Sequence, residues 1–173
     1  MFNSESGILL ETGTNELEVL EFTIAGNGVG INVAKVRELM KYRPPQPMAK
    51  THPDVEGIFK PRGEVYTVIN LASYLGLPDD DDMERHIFII AGFNNINVAF
   101  HVHSVESIHR ISWENIEKPD SLMYGGDEGI ATGIAKIGDR IISIIDFEKI
   151  VFDINPASSI DVTEVEILGE SER

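Results

Sequence analysis

The sequence predicts a mainly β chain of two related halves. Three observations carry the prediction: short apolar runs rich in Val and Ile and punctuated by turn residues, helical signal confined to brief stretches, and a pair of motifs that recurs in the same order. In chain order the runs read as strands over 18–25, 29–33, 55–59, 64–69, 87–91, 97–102, 105–111, 130–137 and 140–145. Asn27-Gly28 between the first two is a hairpin signal. Helical spacing is confined to 34–40, where Val36 and Leu39 lie one turn apart, and to 71–75, 113–116 and 147–153. Asn70 and Asp146 stand just before two of these and suit N-caps, whose side-chain oxygen accepts a free amide of the first turn.

The internal repeat is the most informative feature. Phe22-Thr23-Ile24-Ala25-Gly26 reappears as Phe88-Ile89-Ile90-Ala91-Gly92, and Ile31-Asn32-Val33-Ala34 reappears unchanged as 96–99. Residues 55–75 align without a gap on 131–151, with Gly57 on Gly133, Val68 on Ile144 and Asn70 on Asp146. The order A-B-A′-B′ predicts two lobes of similar β architecture that exchange strands, with an apolar seam between them.

Composition narrows the function classes. The chain has 173 residues and no cysteine, which excludes disulfides, thiolate metal sites and thiol nucleophiles and fits a reducing cytoplasm. Its first ten residues lack the basic start and apolar core of a signal peptide, and no apolar stretch approaches membrane-spanning length, so no membrane insertion is expected. A formal charge of −15 argues against nucleic acid. Against that acidic background, residues 35–62 hold seven of the fourteen Lys and Arg and only three acids, which points to a surface for an acidic partner.

No catalytic or cofactor signature accompanies these features. Gly26-Asn27-Gly28-Val29-Gly30 lacks the glycine spacing of a dinucleotide loop, and neither a nucleophile elbow nor a P-loop is present, so no catalytic residue and no cofactor is expected. His101 and His103 alternate along one strand and face the same way, so a small-molecule or metal-binding β domain using that face or the seam is the alternative reading. Asp79–Asp82 reads as a solvated loop without the glycine and distal glutamate of a calcium site, and Tyr42-Arg43-Pro44-Pro45-Gln46-Pro47 as a rigid linking loop.

Three motifs occur together and in order: Gly30-Ile31-Asn32-Val33-x-Lys35-Val36-Arg37-Glu38-Leu39, then Val55-Glu56-Gly57-Ile58-Phe59-Lys60-Pro61-Arg62-Gly63-Glu64, then Val68-Ile69-Asn70-Leu71. Over residues 8–155 the chain thereby resembles the CheW-like coupling domain of bacterial chemotaxis. Gly13-Thr14-Asn15-Glu16-Leu17-Glu18 and 108–119 resemble the N-terminal domain of CheV-type scaffolds in particular. CheV-type chains normally continue into a receiver domain. Residues 156–173, with Ser158-Ser159 and five acids, read as an acidic linker or tail with that receiver absent.

The resemblance implies two small β-barrel-like lobes and a non-catalytic scaffold. Such a scaffold couples the signalling tip of chemoreceptors to the regulatory domain of the histidine kinase CheA, in the cytoplasm at the inner membrane face. It also implies that Val36, Glu38, Leu39, Gly57, Arg62 and Gly63 contact those partners, and these fall inside the basic segment. Two residues depart from the family pattern: Pro61 stands where an apolar residue is usual, and Asn70 replaces an aspartate.

Overall fold

A computed structural model describes residues 15–93, 95–119 and 129–155, so the expected tail at 156–173 lies outside the described residues. The strands are β1 (Glu16–Ile24), β2 (Asn27–Asn32), β3 (Glu38–Lys41), β4 (Val55–Phe59), β5 (Tyr66–Asn70), β6 (Ile87–Phe93), β7 (Ile96–Val102), β8 (Ser104–Ser112), β9 (Ile116–Glu117), β10 (Ala131–Ile137) and β11 (Arg140–Ile145). Two helices, α1 (Leu71–Leu75) and α2 (Phe147–Ile154), start where their caps were expected. Asn70 accepts from the Ser73 amide at 3.1 Å, and Asp146 accepts from the amides of Glu148 at 2.9 Å and Lys149 at 3.4 Å. Ser73 also donates its hydroxyl to Asp54, so the neutral Asn70 spares this corner a second carboxylate beside the first.

The strands form two curled, SH3-like sheets that are not closed barrels. Lobe 1 is six-stranded in the order β8-β1-β2-β11-β10-β9, and lobe 2 is five-stranded in the order β3-β6-β7-β5-β4. In each lobe a hairpin of the A type meets one of the B type through a parallel pairing, β2 with β11 in lobe 1 and β7 with β5 in lobe 2. The partners are crossed: A pairs with B′, and A′ pairs with B. The strand exchange expected from the repeat is therefore the organising feature of the fold.

The B repeat holds residue for residue. Val55 faces Ile69 and Gly57 faces Val68 across a bulge, just as Ala131 faces Ile145 and Gly133 faces Ile144 across a bulge. The A repeat holds only hairpin for hairpin. Ile144 lies beside Gly30 where Val68 lies beside Ala99, so Gly30 corresponds to Ala99 and Ile31 to Phe100, not to Ile96. Val33-Ala34, matched by letter to a strand, sits instead in a short 3-10 turn over Val33–Lys35. The letter match was a coincidence of composition three to four residues out of register.

Two further expectations are corrected. Residues 34–40 are not a helix: after the turn Val36 is extended, the Arg37 amide donates to the Ile90 carbonyl at 2.8 Å, and β3 pairs with β6. An open edge on β6 outweighs the weak local helical preference. The first hairpin turns two residues before Asn27-Gly28, at Ala25 and Gly26, both with positive φ as a tight primed turn requires. Asn27 instead closes the turn, its side-chain amide donating to the Ile24 and Ala25 carbonyls. The 113–116 segment is a 3-10 turn running into β9.

Alternation sorts the apolar residues into three cores. Leu17, Val19, Ile111, Ala135, Ile142 and Ile144 fill the interior of lobe 1, and Phe59, Tyr66, Val68, Phe88, Ile90 and Ala99 fill that of lobe 2. The other faces meet in a larger core between the lobes, where Phe22, Ile31, Ile89 and Phe100 pack against Phe147 and Ile150 of α2. The Phe100 and Phe147 rings stack with centroids 3.7 Å apart. The seam is filled by these side chains, so any partner meets the lobes at their surface.

Candidate partner-binding surface

The six residues singled out in the sequence all lie at the start of lobe 2, but in different physical situations. Glu38 opens the edge strand β3, and Arg62 sits in a 3-10 turn over Pro61–Gly63 between β4 and β5. Curling of the sheet brings the two segments together: Arg62 Nη2 donates to Glu38 Oε2 at 2.8 Å. Both side chains are well exposed, at 63% and 40%. The hydrogen bond to Glu38 and its negative charge hold the guanidinium pKa above its ordinary value. Arg62 occupies the left-handed region at φ 51°, uncommon for a residue other than glycine.

Leu39 points away from the lobe 2 interior and is 43% exposed, while its neighbour Met40 packs inward. Val36 is half-buried against the core between the lobes, so its role is at least partly packing. Gly57 is a backbone requirement. It is buried at φ 148°, and a Cβ there would stand 2.1 Å from the Gln46 carbonyl oxygen, which the Ile58 amide meets as the chain after β3 closes over β4. Gly63, at φ 89° with open space around it, serves the turn that presents Arg62.

The basic segment is partly neutralised from within. Lys35 meets Glu148 of α2 at 2.6 Å, Arg37 donates to Asn97 at 2.8 Å, and Arg43 lies over the Phe59 ring at 5.8 Å. Lys41, Lys50 and Lys60 are exposed. The surface thus offers an exposed leucine on a strand edge, an arginine–glutamate clasp and nearby lysines.

The histidines do converge, though not as a metal site, and sequence reasoning missed their third member. His86, His101 and His103 are all buried at one end of the lobe 2 core. His101 Nδ1 bonds Glu56, and its Nε2 lies 2.7 Å from His86 Nδ1. With Glu56 ionised, the proton on His101 is on Nδ1 and that on His86 is also on Nδ1, which leaves His86 Nε2 a bare lone pair. His103 Nδ1 accepts the Ala25 amide at 2.8 Å, so its proton sits on Nε2 and leaves no lone pair for a metal. Among the described residues, no group of three or more His, Asp or Glu is placed to hold a metal ion.

Sequence reasoning also missed a buried charge. Glu21 is fully buried at one end of the lobe 1 core, held by two hydrogen bonds from Arg140 and by His109 at 2.8 Å. Burial pushes its carboxyl up, but Arg140 and His109 outweigh this and hold it below the ordinary value. Within a strand of otherwise apolar inward residues, an acid on the core-facing period is the signal that could have found it. A feature without a sequence signal is a recess of about 180 Å³ in lobe 1, lined by Leu17, Lys35, Trp113, Ile116, Ile144 and Asp146 among others.

Crossed hairpins in two small sheets define a two-lobed β fold. Comparison with known proteins gives the family. Residues 18–154 match the CheW-like domain, and the chain belongs to that family. It is 34% identical over 155 residues to the chemotaxis protein CheV3 of Helicobacter pylori, covering 81% of this chain. The chain spans about half of that relative's length, 49%. It is 28% identical to the chemotaxis protein CheW of Thermotoga maritima, over 84% of this chain and 94% of the relative. Among solved structures, the scaffolding protein TtCheW of Thermoanaerobacter tengcongensis superposes with a TM-score of 0.69 at 25% identity, covering 75% of this chain and 88% of that one. Among the described residues, no helix is long and apolar enough to cross a membrane.

Proposed function

We propose that this chain is a non-catalytic adaptor that couples the signalling tip of a chemoreceptor to the regulatory domain of the histidine kinase CheA, in the cytoplasm and associated with receptor arrays at the inner membrane face. Residues 8–155 form the coupling domain in this reading, and 156–173 are an acidic linker or tail. The observation that carries it is the clasp of Glu38 and Arg62, which joins two separate family-like segments into one exposed surface within the basic stretch. Its chemistry suits an acidic or amphipathic helix: Leu39 offers apolar contact and Arg62 a planar fork for a carboxylate.

Because the seam between the lobes is filled, a receptor helix would lie along its margin near Val36 and Leu39. The corresponding turn of lobe 1, around Gly138-Asp139, lacks the Arg-Gly pair, which favours one principal surface over two. Co-sedimentation with a receptor cytoplasmic fragment and with CheA tests the reading. Recovery in a ternary pellet is expected, and absence of binding to either at tens of micromolar removes it.

A further inference from the structure

We propose that the contact between Ala25 and His103 is an acid-released latch joining the two lobes. Ala25 belongs to the β1–β2 turn of lobe 1, and His103 stands where the chain crosses from β7 in lobe 2 to β8 in lobe 1. The imidazole of His103 stacks on His86 of lobe 2 with centroids 4.7 Å apart, while its Nδ1 accepts the Ala25 amide at 2.8 Å. One buried ring is thus held by lobe 2 and holds lobe 1. An imidazole accepts only through an unprotonated nitrogen. When His103 takes a proton from solvent onto Nδ1, both nitrogens become donors and the Ala25 amide loses its acceptor.

The surroundings set the sign. From lobe 2, His103 is faced by His86 and His101, and beyond them by Glu56 and by Tyr42, which bonds Glu56 at 3.1 Å. From the loop after α1, Asp79 Oδ1 is 3.7 Å from His103 Nε2 and Asp80 Oδ2 is 4.0 Å from His86 Nε2, both too long for a hydrogen bond. Arg85 is turned toward Glu106 at 3.8 Å, and from lobe 1 the Ala25 amide meets the ring while the Thr23 carbonyl accepts from the His103 backbone amide at 3.1 Å. Burial, aided by His101, holds His103 below the ordinary histidine value, and Asp79 and Asp80 only partly offset it. The closed latch therefore excludes the proton that an opened, solvated His103 accepts near pH 6.5. Stability from the latch is complete above that value and is lost as pH falls through the depressed value of the closed form.

Amide exchange with histidine ¹⁵N spectra tests this on the whole chain, without any partner, so the outcome is independent of the function proposed above. At pH 7.5, His103 should carry its proton on Nε2 and the Ala25 amide should be protected. Below pH 6.5, Ala25 exchange corrected for its intrinsic rate should rise by about tenfold per pH unit, while the amides of β6 and β7 stay protected. In His103→Asn, whose side-chain oxygen can replace Nδ1 as acceptor but cannot ionise, that pH dependence should vanish. A proton on Nδ1 at neutral pH, a pH-independent Ala25 amide in the wild type, or an unchanged slope in His103→Asn overturns the latch. Should the variant fail to fold, the two wild-type readouts decide.

Discussion

Arg62 and Glu38 stand twenty-four positions apart in sequence and share a 2.8 Å hydrogen bond at the mouth of lobe 2. Since both are exposed, the bond itself adds little to stability, and its effect is to fix the direction in which the guanidinium points. Arg62→Glu is expected to leave the melting temperature nearly unchanged and to weaken binding of the receptor fragment or CheA by about tenfold or more. The double variant Glu38→Arg with Arg62→Glu rebuilds the pair with its charges exchanged. If it restores binding, the clasp matters as a shape; continued weakness in surface plasmon resonance assigns the effect to the arginine itself.

Gly57 answers to backbone geometry rather than to a partner. In Gly57→Ala the new methyl meets the Gln46 carbonyl and the residue must hold φ 148°, so a loss of more than about 2 kcal/mol in urea unfolding is expected. Gly63→Ala has open space and only the φ penalty, so its loss should be about 1 kcal/mol. Equal effects of the two would refute the packing argument.

Glu21 supplies a pH signature in the acid range. Its carboxyl is held below the ordinary value by Arg140 and His109 against the opposing effect of burial, so its stabilisation is present above about pH 4.5 and is lost as pH falls through the depressed value. Glu21→Gln should cost about 2 kcal/mol at pH 7 and flatten the fall in stability below pH 4.5. Denaturant midpoints measured from pH 7 to 3 would show both effects, and an unflattened acid limb would shift the cause to other carboxylates.

The start of α2 depends on one side chain. Asp146 accepts two first-turn amides, and Asp146→Ala should cost about 1 kcal/mol, with Asp146→Asn costing much less. A thermal melt in which the Asn variant falls as far as the Ala variant would contradict capping as the mechanism.

Most of the fold was legible because strands and turns leave local marks. The B repeat could be aligned to the residue, since Gly57 and Gly133 mark the same bulge and Asn70 and Asp146 the same cap. The A repeat could not, because alternating apolar residues look alike when slid along a strand, and only the parallel pairing fixes their register. Strand β3 was misread as helix because its four residues become a strand only by meeting β6, a contact with no local trace. The residues singled out by resemblance are a proposal about partners, whereas the bond between Arg62 and Glu38, the burial of Glu21 and the convergence of His86 with His101 and His103 depend on distant segments meeting in space.

The crossed hairpins also impose an order on how the polypeptide emerges during synthesis. All five strands of lobe 2 lie in one continuous stretch from β3 to β7, whereas lobe 1 needs β1 and β2 from one end and β8 to β11 from the other. When β7 leaves the ribosome, lobe 2 has every strand it requires while the first hairpin still lacks its parallel partner β11. The nascent chain thus carries a finished lobe whose outer apolar face, Ile89 and Phe100 included, lacks the cover of Phe147 and Ile150 until α2 is made. A stop codon before β11 would therefore release a species with one complete lobe and a sticky flank, a natural client for chaperones.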